Sequence, residues 1–177
     1  MKETNLYTVT IPPMKSGLTA LMHILDRAAA HAESKKTTRR SFEDALLADR
    51  IIFDQFPLLQ QIQVASDNAK GGAARLAGVD VPKYDDAEKT ISDLKARLEK
   101  TVAFLDGIAP EQIEGQEERK IELSYFPGKH FKAFDYATQY LMPNFYFHVV
   151  TAYAILRKNG VALGKADYLT ELALNDN

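Results

Sequence analysis

The sequence predicts an all-α protein: a four-helix bundle with a small β-hairpin between its third and fourth long helices. Four stretches repeat apolar residues at the spacing of a helix that buries one face, and proline and glycine separate them. Helices of roughly 18–22 residues can bury a common core, and short or moderate connections favour antiparallel neighbours. One alternating apolar stretch before the last helix predicts the hairpin.

The first long helix is predicted to follow Pro12-Pro13 and to run to about Glu33. Its apolar residues recur at helical spacing: Met14, Leu18, Leu21, Met22, Leu25, Ala28, Ala29 and Ala32. A short helix is expected from about Phe42 to Arg50, because the Ser41 hydroxyl can cap it with an acidic residue three positions on.

The second long helix is predicted from Pro57 to Gly78. Gly71-Gly72 inside it indicates either a local break or a close contact between helices, and close contact is favoured. A connector containing Pro82 follows, since proline cannot continue a helix. The third long helix is predicted to start near Asp85 or Asp86, either of which suits a cap, and to end near Gly107.

The hairpin is predicted where Ile121, Leu123 and Tyr125 alternate with polar residues before Pro127-Gly128. Proline followed by glycine suits the two central positions of a type II turn, and residues 130–132 provide a short return strand. Residues 133–142 are expected to be helical and to lead, with a kink, into the last helix.

Pro143 suits the first turn of that last helix, because the turn does not need its missing N–H. Phe145, Val149 and Leu156 lie on one apolar face. Cations in the last turn and the left-handed preference of Gly160 predict an end at Asn159.

Composition limits the functions that the chain can have. Its 177 residues with 46% apolar and 26% charged content fit one compact domain, residues 1–177. The formal charge of −2 offers no basic excess for nucleic acid or anionic lipid, so neither partner is expected. There are no cysteines, which excludes disulfides and thiolate chemistry from this chain. No segment reads as a signal core or a membrane span, so a cytoplasmic location is expected.

His148, among the aromatics of the last helix, is the principal candidate for chemistry. One interpretation is structural, an imidazole hydrogen-bonded at the polar seam of the bundle. The other is a ligand pocket in which Asn144 and His148 face Gln61 or Asp67, with His148 as a base or a ligand-orienting donor. The helical aromatics favour core or interface over a ligand cage, although Tyr153 is retained as a pocket candidate.

Three strings of sequence resemble the DinB/YfiT-like superfamily of four-helix bundles, in which metalloenzymes have been proposed, and more closely a branch of unknown function within it. The strings are FPLLQQIQVASDNAK from Phe56 to Lys70, GAARLAGVDVP from Gly72 to Pro82, and PNFYFHVVTAYAILRKNGVALGKADYL from Pro143 to Leu169. The resemblance covers nearly the whole chain and implies the bundle fold.

The resemblance also implies where a divalent metal would bind. Members of the superfamily hold it with one histidine on the second helix and an HxxxH pair on the fourth, whose residues share a helix face. Here His148 takes the second position of that pair and Asn144 the first, while residues 57–78 contain no histidine. His148 and Asp54 are the remaining metal candidates, and neutral amides are poor ligands for zinc or nickel. No cofactor is therefore assigned.

Two function classes remain open. The first, which is favoured, is a small-molecule-binding or vestigial non-metal bundle with a pocket near His148. The second is a metal- or thiol-cofactor-dependent enzyme of the transferase or isomerase type, as the resemblance implies. Three consecutive aromatics, Phe145, Tyr146 and Phe147, cannot all face one core, so we expect at least one to face the hairpin, solvent or a partner. This pattern predicts a homodimer.

Overall fold

The structure, a computed structural model, describes residues 4–35, 39–170 and 172–174, without the side chains of residues 39–41. The expected Ser41 cap lies outside the described side chains. The helices are α1 (Ile11–Glu33), α2 (Arg39–Ala48), α3 (Leu58–Ala77), α4 (Ile91–Asp106), α5 (Ala133–Asp135), α6 (Met142–Lys158) and α7 (Lys165–Tyr168). A 3₁₀ turn (Pro110–Gln112), strands β1 (Lys120–Ile121) and β2 (Phe131–Lys132), and a π-helix (Tyr136–Leu141) complete the fold.

The four long helices, α1, α3, α4 and α6, form the predicted bundle, in which α1 and α3 each pack against both α4 and α6. Cross-helix contacts give their directions. Ion pairs join Lys15 to Asp106 and Asp26 to Lys95, so α1 and α4 are antiparallel. Hydrogen bonds join Gln61 to His148 and Asn68 to Asn144, so α3 and α6 are also antiparallel.

The α3–α4 pair is parallel, which corrects the expectation of antiparallel neighbours. The side chain of Gln63, near the start of α3, hydrogen-bonds Glu88 just before α4, while Val79 and Phe104 lie together at the far ends. The connector between the two helices must therefore return along the bundle. Residues 79–89 do so without regular secondary structure.

The predicted start of α4 near Asp85 or Asp86 is wrong, because α4 begins at Ile91. The cap is Thr90, whose hydroxyl accepts the N–H of Asp93 while the Asp93 carboxylate accepts the N–H of Thr90. Such reciprocal capping fixes a helix start. The guanidinium of Arg97 binds the Asp85 carbonyl and the Asp86 carboxylate and holds them in the connector.

Gly71-Gly72 lies inside an unbroken α3. A Cβ on Gly72 would come within 2.3 Å of a Leu141 methyl carbon, so the missing side chain lets α3 and the π-helix meet. Gly78 ends α3 at φ 71°, the left-handed conformation that glycine favours. The close-contact interpretation is confirmed for Gly72.

The hairpin and the last helix follow the prediction, with shorter strands. Gly128 has φ 74° and Lys129 donates to the carbonyl of Phe126, so Pro127 and Gly128 occupy the central positions of the turn. The strands stop early because a second turn begins at Leu123, whose carbonyl accepts the N–H of Phe126. The π-helix precedes Pro143, which has no N–H for the carbonyl one turn earlier.

Candidate functional site

The seam between α3 and α6 holds the principal candidate residue. His148 is 7% exposed, and its Nδ1 lies 2.7 Å from Oε1 of Gln61, which is 1% exposed. The Gln61 amide nitrogen donates to the carbonyl of Phe56 at 2.9 Å. Because the Gln61 nitrogen is used in that bond, its oxygen faces His148 and must accept. The arrangement therefore places the proton of the neutral imidazole on Nδ1.

The remaining nitrogen of His148, Nε2, is then an unprotonated acceptor. Burial lowers the pKa of His148 from its ordinary value, which keeps the ring neutral near pH 7. Among the described residues, no side chain or backbone group hydrogen-bonds this nitrogen. A neutral imidazole with a fixed Nδ1–H can accept a proton or a hydrogen bond from a ligand, or bind a metal, through Nε2.

One turn before His148 on α6, Asn144 extends the same seam. Its amide nitrogen donates to Oδ1 of Asn68 across the helix pair at 3.2 Å. The amide nitrogen of Asn68 is buried and has no partner within the described part of the chain. A buried donor without an acceptor is unfavourable by about 1–3 kcal/mol. The acceptor Nε2 of His148 and the donor nitrogen of Asn68 thus both lack a partner among the described residues, within one helical turn of each other on the seam.

Two exposed aromatic side chains contact the ring of His148. Phe56 stacks on the imidazole with ring centroids 6.5 Å apart, and Phe147 meets it edge-on at 5.2 Å. Phe53 is 83% exposed and Phe147 is 53% exposed. We define the aromatic rim as six exposed apolar residues on the α2–α3 loop and α6: Ile51, Ile52, Phe53, Phe56, Phe147 and Val150.

The three consecutive aromatics of α6 point in three directions, as their positions on a helix require. Phe145 is fully buried in the core, Tyr146 is half-buried, and Phe147 belongs to the exposed rim. Phe56 was not among the site residues predicted from the sequence, although it contributes both a ring and a carbonyl to the site. Its position five residues before Gln61, just ahead of Pro57, was the available signal.

The other predicted site residues lie apart from His148. Asp67 faces α4, where its carboxylate pairs with Arg97 at 2.6 Å and with Lys70 at 3.0 Å. Tyr153 packs its ring against Tyr168 at 6.4 Å. Asp54 is exposed in the α2–α3 loop. The structure therefore brings together His148, Gln61 and Asn144, and leaves these three outside.

The side chains of the seam that could ligate a metal do not fit a tight transition-metal site. His148 supplies one imidazole nitrogen, and its neighbours Gln61, Asn68 and Asn144 supply only amides, which zinc and nickel disfavour. Three or more His, Asp or Glu side chains in metal-binding arrangement do not occur within the described ranges.

The other histidines are dispersed. His23 is hydrogen-bonded to Asp167 at 3.0 Å on the surface, and His31 packs its ring against Phe42 at 5.4 Å. Burial and then nearby Lys35 lower the pKa of His31, so a cationic imidazole at that helix end is disfavoured.

In the portion of the chain that the structure describes, no helix combines the length and apolarity needed to cross a bilayer.

Comparison with known proteins connects this geometry to a family. A family model described as "Domain of unknown function (DUF1993)" matches residues 6–169. A crystal structure of a DinB family member protein from Shewanella denitrificans has 37% sequence identity and a TM-score of 0.90, and the match covers 97% of this chain and 96% of that one. No curated protein matches. The chain belongs to the DUF1993 family of domains of unknown function, and its fold is DinB-like.

Proposed function

We propose that this DUF1993 domain binds a small uncharged organic molecule at the outer edge of His148, without a metal. The observation that carries the proposal is the unprotonated Nε2, which the Gln61–Phe56 hydrogen bonds impose by fixing the other ring proton. The buried amide nitrogen of Asn68, which has no partner among the described residues, is a second polar group on the same seam. Ligand sites characteristically combine apolar walls with a few such polar groups.

The surroundings of Nε2 define the ligand chemistry. An unprotonated nitrogen accepts, so the ligand carries an N–H or O–H donor. Phe56 and Phe147 offer ring faces and edges, which favour a flat apolar body. Among the described residues, no charged side chain hydrogen-bonds His148 or Gln61, so a ligand charge would lose hydration without a partner.

Indole and 1-methylindole form a matched pair of probes, because they differ in the N–H donor. We expect indole to bind more tightly and to shift the ¹⁵N resonance of His148 Nε2, while the methylated probe leaves that resonance in place. His148→Phe should reduce the difference in affinity between the probes. Equal binding of both probes to the native protein, or an unchanged Nε2 resonance, contradicts the proposal.

One observation favours the second candidate function, a metal- or thiol-cofactor-dependent transferase or isomerase. Histidines that ligate metals almost always donate their other ring N–H to an oxygen, as His148 does to Gln61. Protein purified without a histidine tag should then retain metal in near-stoichiometric amount and be stabilised by Ni²⁺, Zn²⁺ or Mn²⁺. No metal response, together with stabilisation by indole, supports the binding module.

We also propose that the aromatic rim is where two copies of the chain associate. Each large aromatic presents about 150–250 Å² when fully exposed, so the rim offers several hundred Å² of apolar surface. A stable interface needs roughly 800 Å² from each partner, which the rim and its polar surroundings can supply. A second copy there would enclose the edge of His148. Phe147→Ser should raise the dimer dissociation constant measured by sedimentation, whereas Phe134→Ser, an exposed position on α5, should not.

A further inference from the structure

Tyr146 lies between two surface cavities on a different face of the bundle from His148. The larger, about 750 Å³, is bounded by α1, α6, α7 and the following chain. The smaller, about 530 Å³, is bounded by the start of α1 and the π-helix. Thr8, Pro13 and Tyr146 line both cavities. His148 lines neither of them.

Among the residues that the structure describes, no charged side chain lines either cavity. The walls of the larger one are mainly proline, leucine, alanine and aromatic carbon, and three of its side chains carry hydroxyls with hydrogen-bonding capacity left over. These are Ser16, Tyr146 and Tyr168, none of which hydrogen-bonds another residue within the described ranges. Thr10 in the smaller cavity, by contrast, already donates to the carbonyl of Leu6.

The two tyrosines remain donors at neutral pH. Burial, with a smaller contribution from Tyr168, raises the pKa of Tyr146, and burial raises the pKa of Tyr168. Both phenols are therefore protonated under physiological conditions and can donate to a ligand oxygen. A charged ligand would find no counter-charge among the described lining residues and would lose its hydration.

Helix packing shapes this region. A Cβ on Gly17 would lie 2.7 Å from the ring of Phe145, so the glycine lets the ring pack directly against α1 while Tyr146 lies beside it. The π-helix contributes Ala137 and Thr138 to the smaller cavity. π-Helical turns are rare and are frequently found at functional sites.

We propose that the space around Tyr146 is a second binding site, separate from the His148 seam, for an uncharged apolar molecule carrying a carbonyl or ether oxygen. Its walls bury the apolar body, and the tyrosine hydroxyls donate to the oxygen. The volume of about 750 Å³ falls within the range of small-molecule sites, roughly 300–1,000 Å³. The His148 site calls for a donor on the ligand, whereas this site calls for an acceptor.

Three naphthalene probes separate the contribution of the hydrogen bond from those of apolar contact and ligand charge. The probe 2-acetylnaphthalene carries the acceptor, 2-ethylnaphthalene lacks it, and 2-naphthoate is charged. Titration of ¹⁵N-labelled protein, followed through backbone amides near Gly17 and Tyr146, gives each dissociation constant. We expect the acetyl probe to bind about three- to tenfold more tightly than the ethyl probe, the range of a neutral hydrogen bond. Naphthoate should bind weakest.

Variants locate the hydrogen bond without disturbing the fold. Tyr146→Phe and Tyr168→Phe remove only a hydroxyl, and at least one should eliminate the acetyl-over-ethyl preference while leaving the affinity for the ethyl probe unchanged. Tyr125→Phe, on the exposed hairpin, is the matched control and should change neither affinity.

Three results would overturn the second site. They are failure of 2-acetylnaphthalene to bind at all, an acetyl preference that survives both tyrosine substitutions, and perturbation of the His148 seam in place of the Gly17 region. Each leaves the His148 proposal standing, because that proposal depends on the indole pair and on the His148 nitrogen resonance.

Discussion

Helix α3 presents polar side chains to two neighbours, and the two seams differ in how fully those groups are paired. Toward α4, the 4% exposed Arg97 binds the carboxylates of Asp67, Asp86 and Glu88 and the hydroxyl of Ser66. Toward α6, neutral amides meet one imidazole, and both the Asn68 amide nitrogen and His148 Nε2 remain without a partner in the described structure.

This difference separates a structural role from a binding role. The α4 seam uses its charges to fix the connector of residues 79–89, because Asp86 and Glu88 lie on that connector and are tied to Arg97. The α6 seam contains groups that the fold leaves available. A fully paired network rigidifies a structure, whereas unused donors and acceptors can serve a ligand.

Removing Arg97 should have the largest effect. Arg97→Leu leaves Asp67 and Glu88 without their main cation, and breaking a buried pair from one side destabilises by about 3–5 kcal/mol. Since Asp67 and Asp86 are partly exposed, we expect the lower end of that range. Urea unfolding measures the change.

Arg157→Leu, at an exposed position on α6, is the matched control and should shift stability by no more than about 0.5 kcal/mol. Equal effects at Arg97 and Arg157 would show that the α4 seam does not hold the connector.

The paired glycines of α3 give the next contrast. Gly72→Ala drives a Cβ against Leu141, and overpacking of this kind destabilises by about 1–3 kcal/mol. Gly71→Ala meets only the guanidinium end of the long Arg75 side chain, which can shift, so it should instead gain up to about 1 kcal/mol from helix propensity. Thermal melts of the two variants should move in opposite directions. Similar shifts would indicate that α3 and the π-helix are not in close contact.

The sequence predicted more of the fold than of the site, for physical reasons. Periodicity and capping located α3, the turn at Gly128 and the end of α6, because those signals are local. The parallel α3–α4 pairing was missed because the contacts between the two helices, such as Arg97 to Asp67, join residues about 30 positions apart. The sequence likewise did not show that Asp67 faces α4, because the direction of that side chain depends on which residues lie across the helix interface.

Acid should weaken the His148 seam at a higher pH than the Arg97 seam. Burial lowers the folded-state pKa of His148 below 6.5, so the unfolded chain takes up the proton first and stability falls as pH drops below about 6.5. Burial alone would raise the pKa of Glu88, but hydrogen bonds from Gln63 and Arg97 lower it below 4.5, so its contribution is lost only below about pH 4.5.

In the His148→Gln variant, the unfolding free energy should depend less on pH between pH 6.5 and 5 than in the native protein. His31→Gln serves as the comparison, because the pKa of His31 is lowered too. An unchanged slope in the His148 variant would show that this imidazole does not titrate below its unfolded value.

The smallest effect on stability should come from replacing Asn68. Its size shows whether this polar side chain stabilises the fold or is available to a ligand. Ser66 and Asn68 lie two residues apart on α3, but Ser66 shares a 2.8 Å hydrogen bond with Thr101 and accepts from Arg97, whereas the amide nitrogen of Asn68 has no described partner. Ser66→Ala should therefore destabilise by about 1–2 kcal/mol, because its partners lose a buried bond. In Asn68→Ala, loss of the 3.2 Å bond to Asn144 is offset by removal of an unpaired buried donor, so the expected change in urea unfolding is within about 0.5 kcal/mol. A loss at Asn68 as large as that at Ser66 would mean that Asn68 stabilises the fold as much as Ser66 does and is not free for a ligand.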